Sequence, residues 1–200
     1  MNMILRAIAV TALSMLAACT TVTTDNPIGV SAGAGNDMRL LGGWKAVQFG
    51  KDVATPSKNN EAAYAFFMPK KDGELQAIVA MTSTDPDDND WMTFDILTGQ
   101  AGDHAVMSVR RALDNGEAVK DQPPGYQPVL YRLGADGNLS LFMISDDAVR
   151  NAIQTGRIAG EMENNNIRIT SDSQTLDSFV SEAGPMLFEP EPLVVFERLK

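Results

Sequence analysis

The sequence predicts a mainly β domain: an antiparallel barrel or strongly curled sheet of about eight to nine strands, with two short helices before the last strand. Three observations predict it. Short apolar runs recur from Leu40 to the end of the chain, turn residues separate them, and only two late stretches carry helical spacing.

Taken in order, the candidate strands are Trp44–Phe49, Ala62–Met68, Leu75–Thr82, Trp91–Leu97, His104–Arg110, Val129–Leu133, Leu139–Ile144, Ile167–Thr170 and Leu193–Leu199. Between them fall Lys71-Asp72-Gly73, the Asp85–Asp90 run, Gly99 to Gly102, Asn115-Gly116 and Asp136-Gly137, which supply turn chemistry. Period two is plain in several strands. Met92, Phe94 and Ile96 point one way and Thr93 and Asp95 the other; Ala105, Met107 and Val109 oppose His104, Ser108 and Arg110. One face inward and one outward is the mark of antiparallel sheet.

Ser145-Asp146-Asp147 can cap a helix that aligns Ala148, Val149, Ala152 and Ile153, with Gly156 as its stop. Asp172 or Ser173 can cap a second, which aligns Leu176, Phe179 and Val180 and ends at Gly184-Pro185. The expected arrangement has these helices covering an open end of the barrel.

The first residues read MNMILR, then the apolar run Ala7 to Leu16, then Ala17-Ala18-Cys19. Positive charge, a short apolar core and small residues make a signal peptide over 1–18. The run falls well short of the ~20 apolar residues that a membrane-spanning helix needs. Residues 19–37 are rich in Thr, Gly, Ser, Ala and Asn without either period, and read as a flexible tether. Residues 38–200 then form a single β-rich domain. Leu16-Ala17-Ala18-Cys19 resembles the lipobox of bacterial lipoproteins, whose cysteine receives a diacylglyceryl group before cleavage. That resemblance implies lipidation of Cys19 and attachment to a membrane through the lipid. Thr20 and Thr21 in place of an aspartate imply the outer membrane of a Gram-negative envelope, with the domain in the periplasm.

Cys19 is the only cysteine, so the domain has no internal disulfide, no CxxC redox pair and no thiolate zinc site. The net charge of −10, with no basic cluster, argues against nucleic-acid binding. His104 is the only histidine and alternates with polar positions, so it is expected to face solvent and not to catalyse. No G-x-G-x-x-G or P-loop occurs; no enzymatic activity, cofactor or metal is expected. The Asp85–Asp90 run lacks the Gly and Glu of a calcium loop, with Asp90 and Ile96 at those positions, and reads as a solvated connection. Asp146 and Asp147 suit a helix N-terminus. Glu161 and Glu163 mark no site of their own.

Gly42-Gly43-Trp44 resembles the G-x-W opening of lipocalin-like barrels, in which the tryptophan closes one barrel end and an arginine of the last strand stacks on it. The resemblance implies that Trp44 and Arg198 meet. Lipocalins' later motifs are missing here. Tyr131-Arg132-Leu133, Asp136 to Leu141, the helix from Asp147 to Gly156, Ile167 to Thr170 and Leu187-Phe188 resemble a family of uncharacterised exported lipoproteins of Gram-negative bacteria, over roughly residues 40–199. It implies no particular activity. The expected function is therefore a non-catalytic domain on a lipid anchor, binding a small apolar ligand or an envelope protein. Met68, Met81, Met92, Met107 and Met143 lie on candidate strands and could line a barrel, or simply fill it.

Overall fold

The computed structural model describes residues 21–30, 36–50, 62–70, 74–82, 89–119, 125–163 and 166–200. The signal segment, Cys19, Lys71 to Gly73 and Asp85 to Asp88 lie outside the described residues. In chain order the strands are β1 (Thr21–Thr24), β2 (Gly42–Phe49), β3 (Ala62–Pro69), β4 (Leu75–Thr82), β5 (Asp90–Ala101), β6 (His104–Asp114), β7 (Glu117–Ala118), β8 (Gln127–Leu133) and β9 (Leu139–Met143). Helix α1 (Asp146–Gln154), β10 (Gly160–Glu163), β11 (Asn166–Ile169), α2 (Ser173–Ala183) and β12 (Val194–Arg198) complete the chain.

Eight antiparallel strands close in the order β5-β4-β3-β2-β12-β9-β8-β6, with a β5–β6 pairing joining the two ends of that row. The two-residue β7 hangs on β6. Closure leaves these eight strands with no unpaired edge. Side chains alternate as expected: Trp44, Ala65, Phe67, Leu75, Met92, Phe94, Ile96, Met107, Leu139 and Phe196 are buried in the barrel core.

A second core lies outside the barrel wall. Val106 of β6, Leu130 of β8 and Phe142 of β9 point outward, away from the core that takes Met107, Val129, Tyr131 and Met143 of the same strands. They meet Val149 and Ala152 of α1, Leu176, Phe179 and Val180 of α2, and Ile167 and Ile169 of β11. The helices thus cover a side wall of the barrel, where the sequence had suggested an open end. Both helices start and stop where their caps require. The Asp172 carboxylate accepts from the Thr175 N–H at 2.8 Å, Gly184 caps α2, and Gly156, with φ +72°, follows α1. The Ser145 side chain makes no capping bond, leaving Asp146 and Asp147 in the first turn.

Two expectations need correction. Ile167–Thr170 is not a barrel strand. Its residues form β11, the centre of a separate three-stranded sheet in the order β1-β11-β10. Residues 21–30, expected to lie in the tether of 19–37, are built into the fold. β1 pairs in parallel with β11, and Thr24 exchanges two backbone hydrogen bonds with Tyr126, each 2.8 Å. Val22 and Ile28 are buried in the second core. The Ile28 N–H donates to Ser108 Oγ at 2.9 Å, and the Gly29 N–H donates to the buried Asp177 carboxylate. Asp25 pairs with Arg168 at 2.7 Å. Gly29 lies directly against Gly99 of β5, where a Cβ on either would overlap the other's backbone. Ordering this polar segment is offset by satisfied backbone groups and two buried aliphatic side chains.

Ile28 is only 1% exposed. Ile28→Ala is therefore expected to lower stability by about 2–4 kcal/mol in a denaturant titration. A change within experimental error would show that the segment is not part of the cooperative fold.

Candidate functional site

The two ends of the barrel differ in how they are finished. At the end where β2, β4 and β9 begin and β3, β5, β8 and β12 finish, large side chains fill the interior. Trp44 is 0% exposed, and its indole N–H donates to the Leu40 carbonyl at 2.8 Å. A 3₁₀ turn, Met38–Leu40, brings Leu40 beneath the ring. Arg198, directly opposite Trp44 in the β2–β12 register, lays its guanidinium 4.2 Å from the centre of the Trp44 ring. Its Nη1 donates to the Leu41 carbonyl at 2.7 Å and its Nη2 to the Arg39 carbonyl. Backbone carbonyls and an aromatic face thereby hold one cation over the closed end.

Asp37 ties the turn to the wall. Its N–H donates to Thr98 Oγ1 at 2.8 Å, and its carboxylate accepts from the Arg39 guanidinium at 2.7 and 2.8 Å and from the Tyr131 hydroxyl at 3.0 Å. The hydrogen-bonded Arg39 guanidinium holds the Asp37 carboxyl below the usual carboxylate range, against the opposing effect of burial. Burial pushes the Tyr131 phenol up, and the neighbouring Asp37 charge adds to the shift. This cluster is structural in geometry: its polar groups point at one another and at backbone.

The opposite end is finished differently. Phe49, Val79, Met81, Val109, Leu141 and Met143 pack on the barrel core there while remaining only half-buried. Charged residues also stand at this rim. Phe94 faces Arg111 and Met81 faces Asp90 in regular register, and a β-bulge between Thr93 and Phe94, which leaves Ala112 unpaired, brings Asp114 opposite Met92. Since directly opposed residues share a face of the sheet, Arg111, Asp114 and Asp90 all stand on the inward side. Arg111 and Asp114 form an ion pair at 2.7 Å, and the Asn115 amide donates to Asp90 at 2.9 Å. Neither the bulge nor this polar rim was predicted from the sequence. The only trace is the loss of strict alternation after Val109.

Of the methionines expected on strands, Met92 and Met107 are buried in the core, Met81 and Met143 stand at the rim, and Met68 points out. His104 is half-buried beside Gly184, in place of the expected solvent-facing position. Glu161 and Glu163 are exposed on β10, where Glu161 pairs with Arg168 at 3.4 Å. Among the described residues no group of three His, Cys, Asp or Glu side chains could hold a metal ion, and no helix is long and apolar enough to cross a membrane. The outer wall of β2 to β5, away from the second core, carries exposed Val47, Phe66, Met68 and Trp91.

No family model matches the chain, and neither a curated protein nor a solved structure matches it.

A double-mutant cycle on Trp44→Leu and Arg198→Met is expected to show about 0.5–1 kcal/mol of coupling, the range for a cation stacked at an exposed site. Additive losses would reduce the stack to a packing contact without energetic consequence.

Proposed function

We propose that this chain is a lipid-anchored lipoprotein of the Gram-negative outer membrane, whose barrel is a non-catalytic binding domain for a small apolar ligand. The observation that carries the reading is the asymmetry of the barrel. One end is sealed by Leu40, Trp44 and Arg198; the other is ringed by half-buried Phe49, Val79, Met81, Val109, Leu141 and Met143. Ligand sites are concave, largely apolar and finished by a few polar groups, and barrel mouths are a common place for them. The G-x-W opening and the arginine of the last strand, placed one over the other, fit the lipocalin-like resemblance. The Leu16-Ala17-Ala18-Cys19 stretch supports the anchor.

Protein from its native host is expected to give an intact mass that begins at Cys19 and carries acyl chains. A chain starting there without acyl mass would refute the anchor. For the barrel, the neutral probe N-phenyl-1-naphthylamine is expected to brighten on binding, and Val79→Trp, which fills the mouth, to abolish the signal without loss of folding. Brightening that survives this substitution would place the probe elsewhere and defeat the reading.

A second reading, a protein-binding module in envelope assembly or inhibition, draws on the exposed wall of Val47, Phe66, Met68 and Trp91. A photo-crosslinker at position 66 that yields no discrete adduct in native envelopes would remove it.

A further inference from the structure

The small sheet β1-β11-β10 is covered along one side only. β1 lies against one flank of β11, while β10 has β11 as its single neighbour among the described residues. The register fixes which backbone groups this leaves over. The Thr170 N–H donates to the Ala159 carbonyl, so Ala159, Glu161 and Glu163 turn their N–H and C=O groups toward β11. Gly160 and Met162 turn theirs the other way, along the free edge. The same alternation on β11 sends the Ile169 carbonyl to β1, where it accepts from the Asp25 N–H.

The two faces of this edge differ in chemistry. Directly opposed residues share a face. Met162, opposite the buried Ile167, therefore stands on the side of the second core, and Glu161 and Glu163, opposite Arg168 and Asn166, stand on the solvent side. Ile153 of α1 occupies the space that a Gly160 side chain would fill, and it extends the apolar surface beside the 37% exposed Met162. On the other face Arg168 serves three carboxylates. It donates to Asp25 at 2.7 and 3.0 Å and reaches Glu161 only at 3.4 Å, and Glu163 has no ion pair among the described residues. Three carboxylates against one guanidinium leave this face negative.

We propose that the β10 edge takes up an extended segment of a partner protein in which basic and apolar residues alternate. Its backbone pairs with Gly160 and Met162, its basic residues fall opposite Glu161 and Glu163, and its apolar residues fall on the side of Met162 and Ile153. In strand addition, main-chain bonds supply the affinity and alternate side chains the specificity. The sheet already takes up one remote strand, since β1 joins β11 and buries Val22 on the core face. An acidic segment would set like charges opposite each other, and so would a second β10 centred on Met162, with Glu161 against Glu163. This surface is separate from the barrel interior, and neither assignment depends on the other.

The test follows backbone amide exchange in the isotope-labelled full chain with three end-capped hexapeptides: Lys-Val-Lys-Val-Lys-Val, Glu-Val-Glu-Val-Glu-Val and Lys-Lys-Lys-Val-Val-Val. Only the first is expected to slow exchange at the Gly160 and Met162 amides. Glu161→Gln with Glu163→Gln should weaken its binding by about tenfold, the scale of two cross-strand charge pairs. Met162→Pro removes an outward-facing donor and leaves the β10–β11 ladder whole. It should abolish the protection of Gly160 while the Glu161 and Glu163 amides stay protected. Equal protection by the two lysine peptides would reduce the contact to net charge and overturn the proposal. Binding without protection of Gly160 and Met162 would overturn strand addition. If none of the peptides binds, the proposal falls, and the glutamates serve only to guard the edge. Protection that rises with protein concentration alone would give the edge to a second copy, which overturns it as well. The comparison of peptides on the unaltered chain decides the matter even where a variant does not fold.

Discussion

Alternate side chains of β6, β8 and β9 serve two different cores, and the remaining architecture is arranged around that division. Met107, Val129, Tyr131 and Met143 point into the barrel, while Val106, Leu130 and Phe142 point into the layer built by the helices and the small sheet. A strand buried on both faces needs apolar residues without interruption, which is why Val129-Leu130-Tyr131 runs as it does. It also fixes register twice over, since a one-residue slip would exchange the two sets. The second layer is therefore more than an attachment to the barrel wall. Without it, Leu130 and Phe142 would face water, and the fully buried Ser108 hydroxyl would lose the Ile28 N–H that it accepts.

The closed end shows how little chemistry a seal requires. Trp44 supplies a flat apolar plug with one donor, and a single 3₁₀ turn places the Leu40 carbonyl to receive it. Arg198 arrives on the last strand because β12 pairs with β2, and its planar fork reaches two carbonyls while its face covers the indole. Lysine could supply the charge there but not the flat stack. At the other end no comparable plug is formed by the described residues, and the polar groups stand as a rim around apolar side chains.

Much of the barrel was legible because its strands obey period two and its turns use the residues that turns need. Met92, Phe94 and Ile96 could be assigned to one face from spacing alone, and Leu176, Phe179 and Val180 to one side of a helix. Trp44 and Arg198 were legible as a pair only through a resemblance, since no local pattern links residues at the two ends of a sheet. What escaped was tertiary in origin. Val22 and Ile28 sit in a stretch of Thr, Gly, Ser and Asn that has the composition of a linker, and their order comes from β11, Ser108 and Asp177, far along the chain. The bulge at Phe94 was equally hidden, because Arg111 and Asp114 look like ordinary exposed charges until the register is known. Ile167–Ile169 has the spacing of a barrel strand, and only the helices on either side of it decide which sheet it joins.

The docking of β1 has a consequence for the order in which the chain can finish folding. Its parallel partner β11 lies some 145 residues downstream, so the N-terminal strand cannot make this pairing until most of the chain is present to fold. Contacts between such distant segments form late, because the loop they close must be organised first. During that interval Thr21 to Thr24 remain an unpaired and accessible segment. Once β11 arrives, the strand is drawn in. Only Thr20 then separates Cys19 from the first residue of β1, and an extended residue spans at most about 3.6 Å. Whatever the chain carries at or before Cys19 is therefore kept close to the barrel wall, in a direction set by a strand pairing and not by a leash.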